Sequence, residues 1–232
     1  MTQNEYAQPI GRNTTLNPVI WDHDALKPDV RGALLRMAQD FLEFVDVPVK
    51  VKDIVITGGN VNYTYTKDSD IDLHIVADFD AVKCDREVAE LFDTKRLLYK
   101  RQHTLEIRGI PVELYIEDHR TPGVTAGMFS VTGDRWLRKP SRVVPKYDEQ
   151  ALKHQVTNWR KILQRAMMTG DLQVCRKALK LLRVYRKKGL ATPAGEFSIP
   201  NLVYKSLRND HVIDGMTRLI DRLHDQELNL VQ

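Results

Sequence analysis

The chain says most about itself at Ile54-Val55-Ile56-Thr57-Gly58-Gly59, ten further residues, and then Asp70-Ile71-Asp72-Leu73-His74-Ile75. The first segment ends a β-branched run and leads into a glycine pair, the signature of a strand entering a tight turn. The second alternates acid or polar with apolar residues, the period of a half-buried strand. Asp70 and Asp72 are two apart, so both carboxylates share one face, while Ile71, Leu73 and Ile75 turn to the other. Two carboxylates held side by side repel unless a cation lies between them. An all-oxygen pair suits a Mg²⁺-sized ion that keeps water and accepts phosphate oxygens. Gly58-Gly59 carries no Cβ, which lets a phosphate approach the backbone and its N–H groups.

A third acid is available downstream. His103-Thr104-Leu105-Glu106-Ile107-Arg108, a turn at Gly109-Ile110-Pro111, and Val112-Glu113-Leu114-Tyr115-Ile116-Glu117 read as a hairpin. Alternation sets Glu113 opposite to Val112 and Leu114. If this strand lies beside the Asp70 strand, three carboxylates converge. Glu106, flanked by Leu105 and Ile107, is the competitor. His74 shares the face of Asp72, within reach of a substrate.

Outward from this centre, residues 1–27 look irregular. Asp29 is placed to cap a helix over 30–45, with Val30, Leu34, Leu35, Met37, Phe41, Leu42 and Phe44 at helical spacing and Pro48 closing it. Strands follow at 50–56 and 71–77. A helix over 82–102 has Val88, Leu91, Phe92, Leu97 and Leu98 on one side. Glycines and prolines crowd 117–147 (Pro122, Gly123, Gly127, Gly133, Pro140, Pro145), with a short hairpin at Met128–Val131 and Trp136–Arg138. Beyond that the pattern is helical: 149–168, 171–188 stopping before Gly189, then 200–209 and 211–228. The expected fold is therefore α+β, a small mixed sheet flanked by helices and followed by a helical domain. The division is 1–120 (core 50–118), a connector over 121–147, and 148–232. A cleft between such halves is a natural ligand site.

Composition sets the limits. The chain has 232 residues, 42% hydrophobic and 28% charged, enough for one large or two small domains. Two cysteines, Cys84 and Cys175, exclude a disulfide-built miniprotein and carry no zinc-type spacing. No apolar run reaches membrane length, and the first residues lack a secretory apolar core. A reducing, cytoplasmic compartment is the expectation, without a membrane partner. Net charge is only +4, yet 135–188 holds sixteen Lys/Arg against Asp148, Glu149 and Asp171. Such an excess attracts a polyanion or a nucleotide triphosphate, although Lys and Arg stems also cover apolar helix flanks. Lys139, Arg142 and Lys146 border the connector. Asn201, Lys205 and Arg208 share one helix face.

The glycine pair, the ten-residue gap, Asp70-Ile71-Asp72-Leu73 on a strand and a later Val112-Glu113-Leu114 together resemble the nucleotidyltransferase superfamily, the DNA polymerase beta-like group, over roughly 50–118. The resemblance implies that Asp70, Asp72 and Glu113 are catalytic and bind two Mg²⁺ or Mn²⁺ ions. It also implies that Gly58 and Gly59 hold the phosphates of an NTP. The serine common after the first glycine is Gly59 here, so Thr57, Asn60 or Thr64 is left to supply the polar contact, with Lys139 and Lys205 as further nucleotide contacts. Phe129-Ser130-Val131, Trp136, Lys139-Pro140, Gly195-Glu196-Phe197-Ser198 and Asn201-Leu202-Val203-Tyr204-Lys205 also resemble nucleotidyltransferases, of no settled substrate, encoded by large tailed bacteriophages, which would place the protein in a host cytoplasm. The function implied is metal-dependent transfer of a nucleoside monophosphate from an NTP to a hydroxyl on an RNA end, a protein or a small molecule. A non-catalytic nucleotide- or nucleic-acid-binding protein on the same fold is the alternative.

Overall fold

Alternation along 71–78 organises the sheet. In a computed structural model, which describes residues 8–79, 85–120, 125–143 and 146–229, Ile71, Leu73, Ile75 and Ala77 are fully buried. Two units result. Gly11–Val143 form one, and the helices after it form the other with Gln8–Ile10.

The first unit runs β1 (Trp21–Asp22), β2 (Ala25–Leu26), α1 (Pro28–Val45), β3 (Lys50–Thr57), a 3₁₀ turn (Gly59–Val61), β4 (Ile71–Asp78), α2 (Asp85–Gln102), β5 (Glu106–Ile107), β6 (Ile110–Asp118), β7 (Met128–Ser130) and β8 (Arg135–Arg138). Its six-stranded sheet has the order β5-β6-β4-β3-β7-β8. β4 pairs antiparallel with β3 and parallel with β6, so the sheet is mixed. The parallel pair needs a crossover, and α2 supplies it. Leu34, Phe41, Ile56, Ile71, Leu73 and Ile75 anchor the core beneath this sheet. The short hairpin expected near 128–138 is present and extends the sheet beyond β3.

Several local expectations change. Residues 1–27 are not wholly irregular: Trp21–Leu26 form a two-stranded ribbon around His23, whose φ of 52° makes the turn. Trp21 is buried, stacked on Trp136 with ring centroids 4.8 Å apart and edge-on to Phe129. Helix α1 starts at Pro28, with Lys27 in the capping position and no side-chain cap; Pro is favoured at the first helical residue because its missing N–H is unneeded there. Asp29 instead accepts a 2.6 Å hydrogen bond from Arg108. The β5–β6 turn is Arg108-Gly109, both at positive φ, and Ile110 and Pro111 already belong to β6. On α2, among the described side chains, Phe92 and Tyr99 are buried while Leu91, Leu97 and Leu98 face solvent; the Val88 side chain lies outside the described ones. The expected helix start at Val82, together with Cys84, Pro122, Gly123 and Pro145, lies outside the described residues.

The second unit is all helical: α3 (Glu149–Thr169), α4 (Leu172–Leu190), a 3₁₀ turn (Gly195–Phe197), α5 (Ile199–Asn209) and α6 (Val212–Leu228). Asp148 and Asp171 cap α3 and α4 by accepting the N–H groups of Ala151 and Val174, both at 2.9 Å. Leu152, Leu163, Leu182, Leu202, Leu207 and Met216 fill the core, and Cys175 is buried among them. Gly189 does not stop α4, which continues to Leu190. A Cβ at 189 would lie 2.6 Å from Ser198 Oγ and 2.7 Å from Pro200 Cβ, so glycine is there for close approach of the α5 lead-in.

Candidate active site

β3 and β4 deliver the glycine turn and the two aspartates to one end of the sheet. Thr57, the last residue of β3, pairs with Asp72 across the antiparallel ladder. On the other side of β4, the parallel register sets Asp72 directly beside Glu113. Asp70, Asp72 and Glu113 are each half-buried, and each offers a carboxylate oxygen such that all lie within 4.8 Å of one another. Glu106 stays outside this cluster, exposed on the edge strand β5.

Gly58 is tied to Asp72 by shape. Its φ is +88°, and a Cβ there would lie 2.2 Å from Asp72 Oδ2. The carboxylate therefore occupies the space a side chain would need. Gly59 has room for little more: a Cβ would meet Ser69 Oγ at 3.0 Å. The Ser69 hydroxyl thus borders the position where the family pattern has serine. It accepts a 2.9 Å hydrogen bond from the Thr66 N–H.

Asn60 holds the turn and the acids together. It is fully buried, its amide donates to the carbonyls of Ser69 (3.0 Å) and Asp70 (2.8 Å), and its oxygen accepts from Asn17 Nδ2 at 2.7 Å. The Asn60 carbonyl accepts from Trp21 Nε1 at 2.8 Å. Its amide is committed to these partners, so it positions Asp70. Thr57 is also buried, its hydroxyl 3.1 Å from His74 Nε2. His74 braces this corner, stacked on Tyr115 and with Nδ1 3.3 Å from Glu117 Oε1. Asn60→Ala would leave the Asn17 amide unpaired in the interior and take the donor from the partly buried Ser69 and Asp70 carbonyls. Urea unfolding should register a loss of about 2–4 kcal/mol.

Glu113 is held from both sides. Tyr115 donates to Oε2 at 2.7 Å and the Lys100 ammonium bonds Oε1. Burial works to raise the Glu113 pKa, but the hydrogen bonds from Lys100 and Tyr115 and the charges of Lys100 and Arg96 outweigh it and leave the carboxyl below its ordinary value. Burial, with the bond to Glu113, pushes the Tyr115 hydroxyl well above its ordinary value, so it stays a donor. A cavity of about 220 Å³ beside Glu113 is lined by Arg96, Lys100, His103 and Glu106 among others.

The donor set fits a hard divalent cation: three carboxylates and no nitrogen or sulfur ligand. The ammonium of Lys100 on Glu113 marks the same patch as a place where positive charge is favoured.

Of the other expected nucleotide contacts, Lys139 is paired 2.5 Å from Asp24 Oδ2, and that bond and charge raise its pKa. Lys205 lies on α5 of the second unit. Lys100, Arg96, Tyr115, Ser69 and Asn17 were not foreseen. Tyr115 alone had a signal in the sequence, two residues past Glu113 on the same strand face.

Residues 38–124 match the family model of a nucleotidyltransferase domain. The matched segment runs from within α1 past β6 and contains Gly58, Gly59, Asp70, Asp72 and Glu113. It supports nucleotidyl transfer in general, with an NTP as the substrate implied. No curated protein and no solved structure matches the chain. No described helix is long and apolar enough to cross a membrane.

Proposed function

We propose that the first unit transfers a nucleoside monophosphate from an NTP to a hydroxyl and releases pyrophosphate. The observation that supports this most is the β4–β6 register, which gathers Asp70, Asp72 and Glu113 beside the Gly58 turn within a segment matching a nucleotidyltransferase domain. In the reaction, the acceptor oxygen bonds to the α-phosphorus as the bond to the β-phosphate oxygen breaks. The hydroxyl proton passes to water.

Asp70, Asp72 and Glu113 would hold Mg²⁺ or Mn²⁺, with two ions proposed. Bound there, such ions neutralise the triphosphate and acidify the attacking hydroxyl. The chain's own part is placement. Gly58 and Gly59 admit phosphate close to the backbone, Asn60 fixes the Asp70 backbone, and Tyr115 orients the Glu113 carboxylate. Lys100 and Arg96 add positive charge at the same edge.

The acceptor is proposed as an RNA 3′ end, a protein or a small molecule. The test incubates the full chain with each α-labelled NTP, Mg²⁺ or Mn²⁺, and separate RNA, protein and metabolite fractions. Label in one fraction with matching pyrophosphate release is the expected result. Nucleotide bound without pyrophosphate release would assign the site to nucleotide binding alone.

A further inference from the structure

We infer that the exposed face of α4 binds the phosphodiester backbone of a single polynucleotide strand. Between Leu172 and Leu190 the helix carries Arg176, Lys177, Lys180, Arg183, Arg186, Lys187 and Lys188 and not one acid. Arg176, Lys180, Arg183 and Lys187 follow at offsets of four, three and four, so they form one row, and all four are exposed. At 1.5 Å per residue this row is about 16 Å long, enough for several consecutive phosphates.

Several cations elsewhere in the chain are neutralised by a neighbouring carboxylate. Arg160 pairs with Asp210, Lys100 with Glu113, Arg108 with Asp29 and Lys139 with Asp24. Among the described residues no carboxylate is paired with any of the seven α4 cations. Like charges three and four apart on a helix repel and destabilise it. A surface that leaves this repulsion uncompensated is matched by a ligand whose negative charges repeat along a line.

The end of the row is shaped as well as charged. Arg183, Arg186, Lys187, Leu190 and Tyr204 line an open cavity of about 350 Å³. Arg186 lies over the Tyr204 ring, 4.3 Å from its centroid, and its Nε donates to Asn201 Oδ1 at 3.1 Å. Asn201 is itself buried and anchored to the Glu196 carbonyl at 2.7 Å. The guanidinium is therefore held in place before any ligand arrives, and a planar, fixed guanidinium suits phosphate oxygens. Leu181 and Val184 lie to one side of the row, which makes an anionic bilayer the competing surface to be tested.

The proposal concerns binding and stands apart from turnover in the first unit. The test is fluorescence anisotropy of a labelled 20-nucleotide single-stranded RNA with the full chain, in EDTA, across a salt series. Four engaged cations predict a log–log salt slope near −3, about −0.7 per phosphate neutralised. Replacing Arg176, Lys180, Arg183 and Lys187 together by Gln should weaken binding at least about tenfold at 0.1 M salt and flatten that slope. Replacing Arg36, Lys50, Arg218 and Arg222 by Gln removes equal charge and should leave most of the affinity. The proposal is overturned if the α4 variant binds RNA as wild type does, or if the control variant loses as much. It is also overturned if the wild-type chain ignores RNA but sediments with phosphatidylglycerol vesicles.

Discussion

Asp72→Asn should lower NTP turnover roughly 10²–10³-fold, the scale on which removing one electrostatic stabiliser of the transition state is felt. The substitution keeps the shape of the side chain, so packing against Gly58 is retained. Asp72 stands between its neighbours, across from Thr57 on β3 and beside Glu113 on β6, so no other carboxylate replaces it. Without a bound cation, Asp70, Asp72 and Glu113 crowd negative charge that Lys100 offsets only at Glu113. Removing one charge should therefore leave the melting temperature unchanged or raise it. Loss of pyrophosphate release with an undiminished melting temperature is the expected pair of results. Full turnover in this variant would end the catalytic reading.

Gly58→Ala should be damaging through two routes that add. At φ +88° an alanine sits in a region L-residues avoid, which costs about 1–3 kcal/mol. Its Cβ would also meet Asp72 Oδ2 at 2.2 Å and Cγ at 3.2 Å, so the carboxylate has to move. Moving it by even a fraction of an ångström misplaces a ligand oxygen. Turnover should fall at least about tenfold, since misplacement of 1 Å costs about 10²-fold. Gly59→Ala is the informative partner. Its nearest contact is the Ser69 hydroxyl at 3.0 Å, and its φ is not in the left-handed region. It should cost less in both stability and rate. Equal effects of the two substitutions, read by thermal melts and pyrophosphate release, would contradict the Asp72 contact as the cause.

The sequence carried β4 and β6 because each repeats a two-residue period with one apolar face, and β3 because a β-branched run leads straight into a glycine pair. That period put Asp70 and Asp72 on one face of β4 and Glu113 on the polar face of β6. Strand order was not contained in it: only the parallel β4–β6 pairing makes Glu113, and not Glu106, the third member. The brace of Asn17, Trp21 and Asn60 was hidden because it joins residues some forty positions apart, and a single buried Asn has no local pattern. Trp21–Leu26 is too short for periodicity to register. Gly189 shows the opposite failure. Glycine near a helix end ordinarily signals termination, but here close packing against Ser198 and Pro200 set the choice. On α2 the expected stripe holds at Phe92 but not at Leu91, Leu97 and Leu98, and Tyr99 joins Phe92 in the core instead.

Lys100 bonded to Glu113 gives the acidic corner an intrinsic counterion. Loading that corner with the proposed divalent ion would then exchange one cation for another rather than fill a bare negative hole. The displaced ammonium would stay tethered on a long, flexible stem at the rim, placed to meet the triphosphate of the proposed substrate.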